Sequence, residues 1–300
     1  MIDLRSLALL ATEHADALDL PVEPFRAKGR VLDTDVRPSV MGVVNLSRDS
    51  TYRESVAPTT ASAVRRGLVM AAQGADLVDV GAEGSDASNA RVGADEQEAR
   101  LLPVVEQLAA QGVLVSVESY TPRTVQACLT AGAAVVNLTG SEHDEEMFAL
   151  AAEHDAGVVL CFVQGAHARE LVTDDVETDP FPAMEEQFAS RVAAARAAGV
   201  RGIAIDPGLG FGFRLDDPVG RARHQSSVLL SSFRLRRLGV TLCHALPTAY
   251  DLFEEQLRTA EGFFAVLSSL GGTGIHRTHE VPHVLAVLNA MSQLPVLPET

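Results

Sequence analysis

One local pattern recurs along this chain and limits what it can fold into. A helical, Ala-rich stretch ends at a glycine, and a short β-branched run follows: AAQGADLVDVG, AAQGVLVSVES, LTAGAAVVNLT, EHDAGVVLCFV, ARAAGVRGIAID, RRLGVTLCHA and SLGGTGIHRTH. The glycines are Gly74, Gly112, Gly132, Gly157, Gly199, Gly239 and Gly272. A glycine just past a helix end takes the left-handed conformation without a Cβ clash. The apolar run after it suits a parallel strand buried on both faces. An earlier strand, Ser39–Leu46, opens the series and brings the number to eight. Helices are expected near 59–73, 94–111, 122–130, 144–154, 182–198, 225–238, 259–270 and 282–291. Eight alternations with no second zone of composition predict an α/β fold, a single (β/α)8 barrel over residues 29–294. Residues 1–28 read as a short N-terminal helical arm and 295–300 as a Pro-containing tail. A doubly wound sheet, the competing fold, normally uses about five or six strands and one switch point.

Charge narrows the function. The net charge is −16 over 300 residues, and a nucleic-acid binder or a binder of anionic membranes needs a basic face. No apolar run reaches the roughly 18 residues of a membrane-spanning helix. The first twenty residues carry Asp3, Glu13, Asp16 and Asp19, which does not fit a secretory signal, so a cytoplasmic location is expected. Cys128, Cys161 and Cys243 lie far apart without CxxC spacing and read as buried thiols.

A barrel places its active site at the C-terminal ends of its strands. The residues that end the predicted strands are Asn45, Asp79 with Glu83, Glu118, Asn137, Cys161 with Gln164, Asp206, His244, and Arg277 with His279. Strand ends meet water and are often polar for that reason alone. Here, though, amides and carboxylates directly follow apolar runs on nearly every strand. Glu118, Asn137 and Asp206 suit a planar heterocycle with an amidine-like edge, because a carboxylate accepts two parallel N–H bonds from such an edge. Arg277 and His279 on the last strand neighbour Asn45 on the first, and that corner suits an anion.

At these residues the chain resembles the dihydropteroate synthase family, whose fold is a TIM barrel. RPSVMGVVNLSRDS is similar to the family opening M-G-I-x-N-x-T-P-D-S, and GADLVDVGAEGS to G-A-D-I-I-D-I-G-G-E-S-T. VSVESY resembles I-S-I-D-T-Y, AGAAVVNLTG resembles A-G-A-D-I-I-N-D, AIDPGLGFGF resembles D-P-G-I-G-F-G-K, and IHRTHEV resembles x-x-R-V-H-D-V. The match runs from about Gly29 to Met291. The resemblance implies a transferase that joins a dihydropterin diphosphate to p-aminobenzoate and releases diphosphate with Mg²⁺. It implies that Asn45 sits at the metal and diphosphate, that Arg277 and His279 hold the leaving diphosphate, and that Asp49 lies on a catalytic first loop. It places Glu118, Asn137, Asp206, Gly208, Phe211 and Cys161 around the pterin, and it implies a homodimer formed through late helices. The apolar runs 263–267 and 284–288 are the candidate dimer surface, although barrel packing also accounts for them.

The departures from the family pattern cluster. The family's S-R-K after the seventh strand is Ala245-Leu246-Pro247, and the missing Lys normally reaches the pterin and assists the amine substrate. The Arg-Pro of the second loop is absent, with Gly84-Ser85-Asp86 in that place. Phe213 replaces the Lys after G-F-G, Leu138 the Asp after the pterin-facing Asn, and Glu118 the family's Asp. The diphosphate corner is therefore kept and the p-aminobenzoate side rewritten. The expectation is a transferase with an altered amine side. The alternatives are a weak or inactive pterin-binding paralogue and a methyltetrahydrofolate-type methyltransferase. His279-Glu280-Val281-Pro282-His283 is a literal H-E-x-x-H, but a zinc protease needs both histidines on one continuous helix, and Pro282 fits the start of the last helix. Acids at Asp95, Glu96, Asp144, Glu145 and Glu146 read as helix first-turn charges.

Overall fold

The computed structural model describes residues 2–47, 57–83, 92–163, 165, 179–209, 217–254 and 256–294. Two helices come first, α1 (Leu4–Glu13) and α2 (Ala15–Leu18), followed by a hairpin of β1 (Phe25–Ala27) and β2 (Arg30–Leu32). The repeating units are β3 (Ser39–Asn45), α3 (Thr60–Ala72), β4 (Leu77–Gly81), α4 (Ala94–Ala110), β5 (Val115–Glu118), α5 (Pro122–Thr130), β6 (Val135–Leu138) and α6 (Asp144–Glu153). They continue with β7 (Gly157–Cys161), α7 (Phe181–Ala197), β8 (Ile203–Asp206), α8 (Pro218–Ser231), β9 (Thr241–Ala245), α9 (Tyr250–Phe253), α10 (Leu257–Leu270), β10 (Ile275–Thr278) and α11 (Val281–Gln293). Strands β3 to β10 are parallel and close into a barrel in chain order, with β10 beside β3. The predicted (β/α)8 barrel is therefore the observed fold.

Two apolar layers hold it together. Met41, Leu77, Val135, Val159, Ala204, Cys243 and Ile275 fill the inside of the barrel. Val40, Val44, Val78, Val80, Val117, Val136, Leu160 and Ile205 face outward against the helices. The alternation follows from the period of two along a strand. It also decides which strand-end side chains reach the mouth.

Three details differ from the sequence expectation. The sixth helical segment starts at Pro218, not near 225, because Asp217 caps it by accepting from the backbone N–H groups of Val219 and Gly220. Its last turns, 232–238, tighten into a 3-10 helix. The arm is not helical throughout, since the boundary drawn at residue 28 falls in the turn of the β1–β2 hairpin. Gly157 is not left-handed either: Asp155 takes the positive φ at that helix end. Gly157 answers a different need. A Cβ there would lie 2.5 Å from the ring of Phe25, and one on Gly202 would lie 1.8 Å from the carbonyl oxygen of Arg26. The hairpin plugs the N-terminal end of the barrel, and small residues at the starts of β7 and β8 let it in.

Candidate active site

The C-terminal mouth is built around one buried carboxylate. Asp79 is fully buried, and it lies between Val78 and Val80 on an otherwise apolar strand. Side chains from three strands satisfy it. Arg277 Nε on β10 donates to Asp79 Oδ2 at 2.8 Å, and Asn137 Nδ2 on β6 donates to the same oxygen at 3.1 Å. Ser116 Oγ on β5 donates to Oδ1 at 2.6 Å. Arg277 Nη2 reaches on to Glu118 Oε2 at 3.2 Å, and Thr139 donates to the other Glu118 oxygen at 3.5 Å. Cys161 Sγ donates to Asn137 Oδ1 at 3.7 Å. The structure thus brings Glu118, Asn137, Cys161 and Arg277 into one array. Asp206 lies close enough to Arg277 and Cys161 to shift the titration of both. Gly208, left-handed with φ +73°, turns its N–H back to Asp206 Oδ1 at 2.8 Å.

Burial sets the electrostatics. It pushes Glu118 up to about 7 with help from the charge of Asp79, even though Arg277 pulls the other way. Burial also pushes Asp206 up to about 6, against its bond from Gly208 and the charge of Arg277. Burial opposes the charge on Arg277, but Asp79 and Glu118 outweigh it and hold the guanidinium protonated. Cys161 is pushed well up by burial and then by Asp206, which leaves it an inert thiol.

His279 directly follows β10. Burial, with Arg277 and Arg66 nearby, lowers it to about 3, so it enters the corner as a neutral imidazole. Its backbone N–H donates to Glu261 Oε1 at 3.2 Å, which ties the β10–α11 turn to α10. His244 lies on β9. It points outward, is fully buried, and pairs its Nε2 with Ser232 Oγ at 2.8 Å, away from the mouth. Asn45 stands half-buried at the end of β3. Asp49, Phe211 and Gln164, and the departures at 84–86 and at Phe213, lie outside the described residues. Asp144 does more than charge a helix end, because it holds the buried Arg191 of α7.

The sequence reading gave Asp79 a place in the ring but no role, and it missed Ser116 and Arg191. Arg191 shares the buried face of α7 with Met184, Phe188, Val192 and Ala195, and a lone Arg on an apolar stripe is the signal that exposes it.

Mg²⁺ prefers oxygen donors, commonly one or two carboxylates completed by substrate phosphates. Among the described residues no group of three or more His, Cys, Asp or Glu side chains could hold a metal ion. Asn45 offers a single amide oxygen.

Lysine is all but missing from this chain. The one lysine is Lys28, exposed in the hairpin turn at the opposite end of the barrel. The position where the resemblance calls for Lys carries Pro247, which is buried. No lysine ammonium therefore reaches the described mouth.

The fold and the mouth define a barrel protein with an acid-lined ligand site at the C-terminal ends of its strands. The family described as pterin binding enzyme matches residues 41–232. The dihydropteroate synthase of Bacillus subtilis is 28% identical over 281 residues, covering 90% of this chain and 93% of that protein. The structure of Xanthomonas albilineans dihydropteroate synthase with 4-aminobenzoic acid superposes with a TM-score of 0.76 at 28% identity, over 92% of this chain and 100% of the other. The same enzyme in complex with 7,8-dihydropteroate gives 0.72 at 27%, over 91% and 99%. The chain belongs to the dihydropteroate synthase family of pterin binding enzymes. Among the described residues no helix is long and apolar enough to cross a membrane.

Proposed function

We propose that this protein is a dihydropteroate-synthase-like transferase that acts on a dihydropterin diphosphate, releases diphosphate, and takes an amine other than p-aminobenzoate. The observation that carries the reading is a mouth that keeps Arg277, Asn137 and Asp206 in a chain with no lysine to serve the amine side. Asp206 and Asn137 would accept from and donate to the ring edge of the pterin. As the methylene–oxygen bond breaks, positive charge grows on the pterin methylene and negative charge on the diphosphate. The carboxylates stabilise the first, and Arg277, with a neutral N–H from His279, stabilises the second. Asn45 together with the diphosphate oxygens would hold a Mg²⁺ ion that arrives with the substrate, and the ion would neutralise leaving-group charge. A homodimer through α10 and α11 belongs to the same proposal; on the expected α10 surface Phe263 stays exposed while Phe264 and Leu267 are buried.

The test is a screen of amines with the pterin diphosphate, following diphosphate release. The expected outcome is release with an amine other than p-aminobenzoate. Dihydropteroate formation at rates ordinary for the family would refute the altered amine side. Pro247 in place of the family's lysine also favours a second reading, a pterin-binding paralogue without turnover. Tight pterin binding with no diphosphate release from any amine would select it.

A further inference from the structure

We infer that Glu118 and Arg277 form a latch that couples the two halves of the ligand, so that an anionic diphosphate and a plain pterin ring each bind more tightly when the other is present. The inference rests on the pterin site proposed above. It is specific to this chain, because Glu118 is one methylene longer than the Asp the family resemblance calls for, and that extra reach brings its carboxylate to 3.2 Å from Arg277 Nη2.

The geometry gives the latch a hinge and a catch. The hinge is Arg277 Nε on Asp79, and Asp79 is itself fixed by Ser116 and Asn137. The catch is Arg277 Nη2 on Glu118. A guanidinium has five N–H donors, and among the described residues two of those of Arg277 are used, one at Nε and one at Nη2. Its terminal donors can turn toward a diphosphate while Nε stays on Asp79. That movement strips Glu118 of its cation. The Glu118 side chain is only 10% exposed, and a buried carboxylate left without its partner is costly. A pterin N–H edge donating to Glu118 removes that cost. Conversely, a pterin that binds first finds Glu118 already engaged and must compete with Arg277. Each ligand alone bears the cost of opening the latch, and two ligands together share it. Shared cost of this kind is positive coupling, and it is reciprocal.

The test is calorimetric titration of the intact protein with inorganic diphosphate, with 6-hydroxymethylpterin, and with each in the presence of the other. In the wild type, saturating diphosphate is expected to tighten pterin binding about 10-fold, within the usual range of such couplings. Pterin should tighten diphosphate by the same factor. In Glu118→Asp, which shortens the catch, and Glu118→Gln, which keeps its length without its charge, the readout is the ratio of pterin affinities with and without diphosphate, which a loss of direct pterin contact alone does not move. Their coupling should fall to about 2-fold or less. Independent binding in the wild type, or equal coupling in wild type and both variants, overturns the latch while leaving the pterin site intact. No pterin binding under any condition overturns the functional reading and the latch with it.

Discussion

A buried arginine and a half-buried one serve this barrel in opposite ways. Arg191 on α7 is closed off. Its Nε and Nη2 grip both oxygens of Asp144 at 2.7 and 2.8 Å, and its Nη1 and Nη2 each donate at 2.7 Å to the carbonyls of Cys161 and Gly140. It rivets the loop after β6 to the end of β7. Arg277 sits one layer inward, with one bond to Asp79, one to Glu118, and donors to spare among the described residues. The first is a completed network and the second an incomplete one. In a dry site, spare donors on a fixed cation are what a ligand can use.

The contrast can be broken at either end. Arg191→Met should cost about 3–5 kcal/mol of stability, because it strands Asp144 and two carbonyls; a small shift in the denaturation midpoint would show that the rivet bears little load. Arg277→Met should weaken diphosphate binding by about 1.5–3 kcal/mol and, because it frees Glu118 from its competitor, should not weaken plain pterin binding, read by titrating both. Equal losses for the two ligands would show that Arg277 serves the ring and not the leaving group. Asp206→Ala should remove measurable pterin binding while the protein still unfolds cooperatively.

A further effect concerns pH. Glu118 is raised to about 7 in the folded protein from an ordinary value of 4.5. The folded state therefore holds a proton that the unfolded state has released between those values. Stability should fall as pH rises from about 4.5 to 7, with a slope from this group of at most about 1.4 kcal/mol per pH unit. Glu118→Gln should flatten that fall, and an unchanged pH profile of thermal unfolding would count against the burial of this carboxylate.

Much of this was legible beforehand. The glycine-then-strand repeat predicted the eight strands, and apolar runs ending in polar residues marked the mouth. The facing of individual residues was not legible. His244 and Cys243 are adjacent in sequence, yet a period of two sends the thiol inward and the imidazole outward. The partnership of Asp79 with Arg277 joins the second barrel strand to the last across the closed barrel, and no local spacing encodes it. Gly157 fits the repeat as a helix terminator, but its smallness serves the Phe25 ring, which comes from the far end of the chain.

That ring has a consequence for how the molecule is made. The plug at the foot of the barrel comes from the first tenth of the polypeptide, and the strand starts that receive it lie in the second half. During synthesis Phe25 and its neighbours emerge long before their seat exists. Contacts this distant in sequence form late and slowly. The plug is therefore expected to dock as a closing step, after β7 and β8 are in place. A refolding phase that vanishes in Phe25→Ala while barrel formation keeps its rate would identify it.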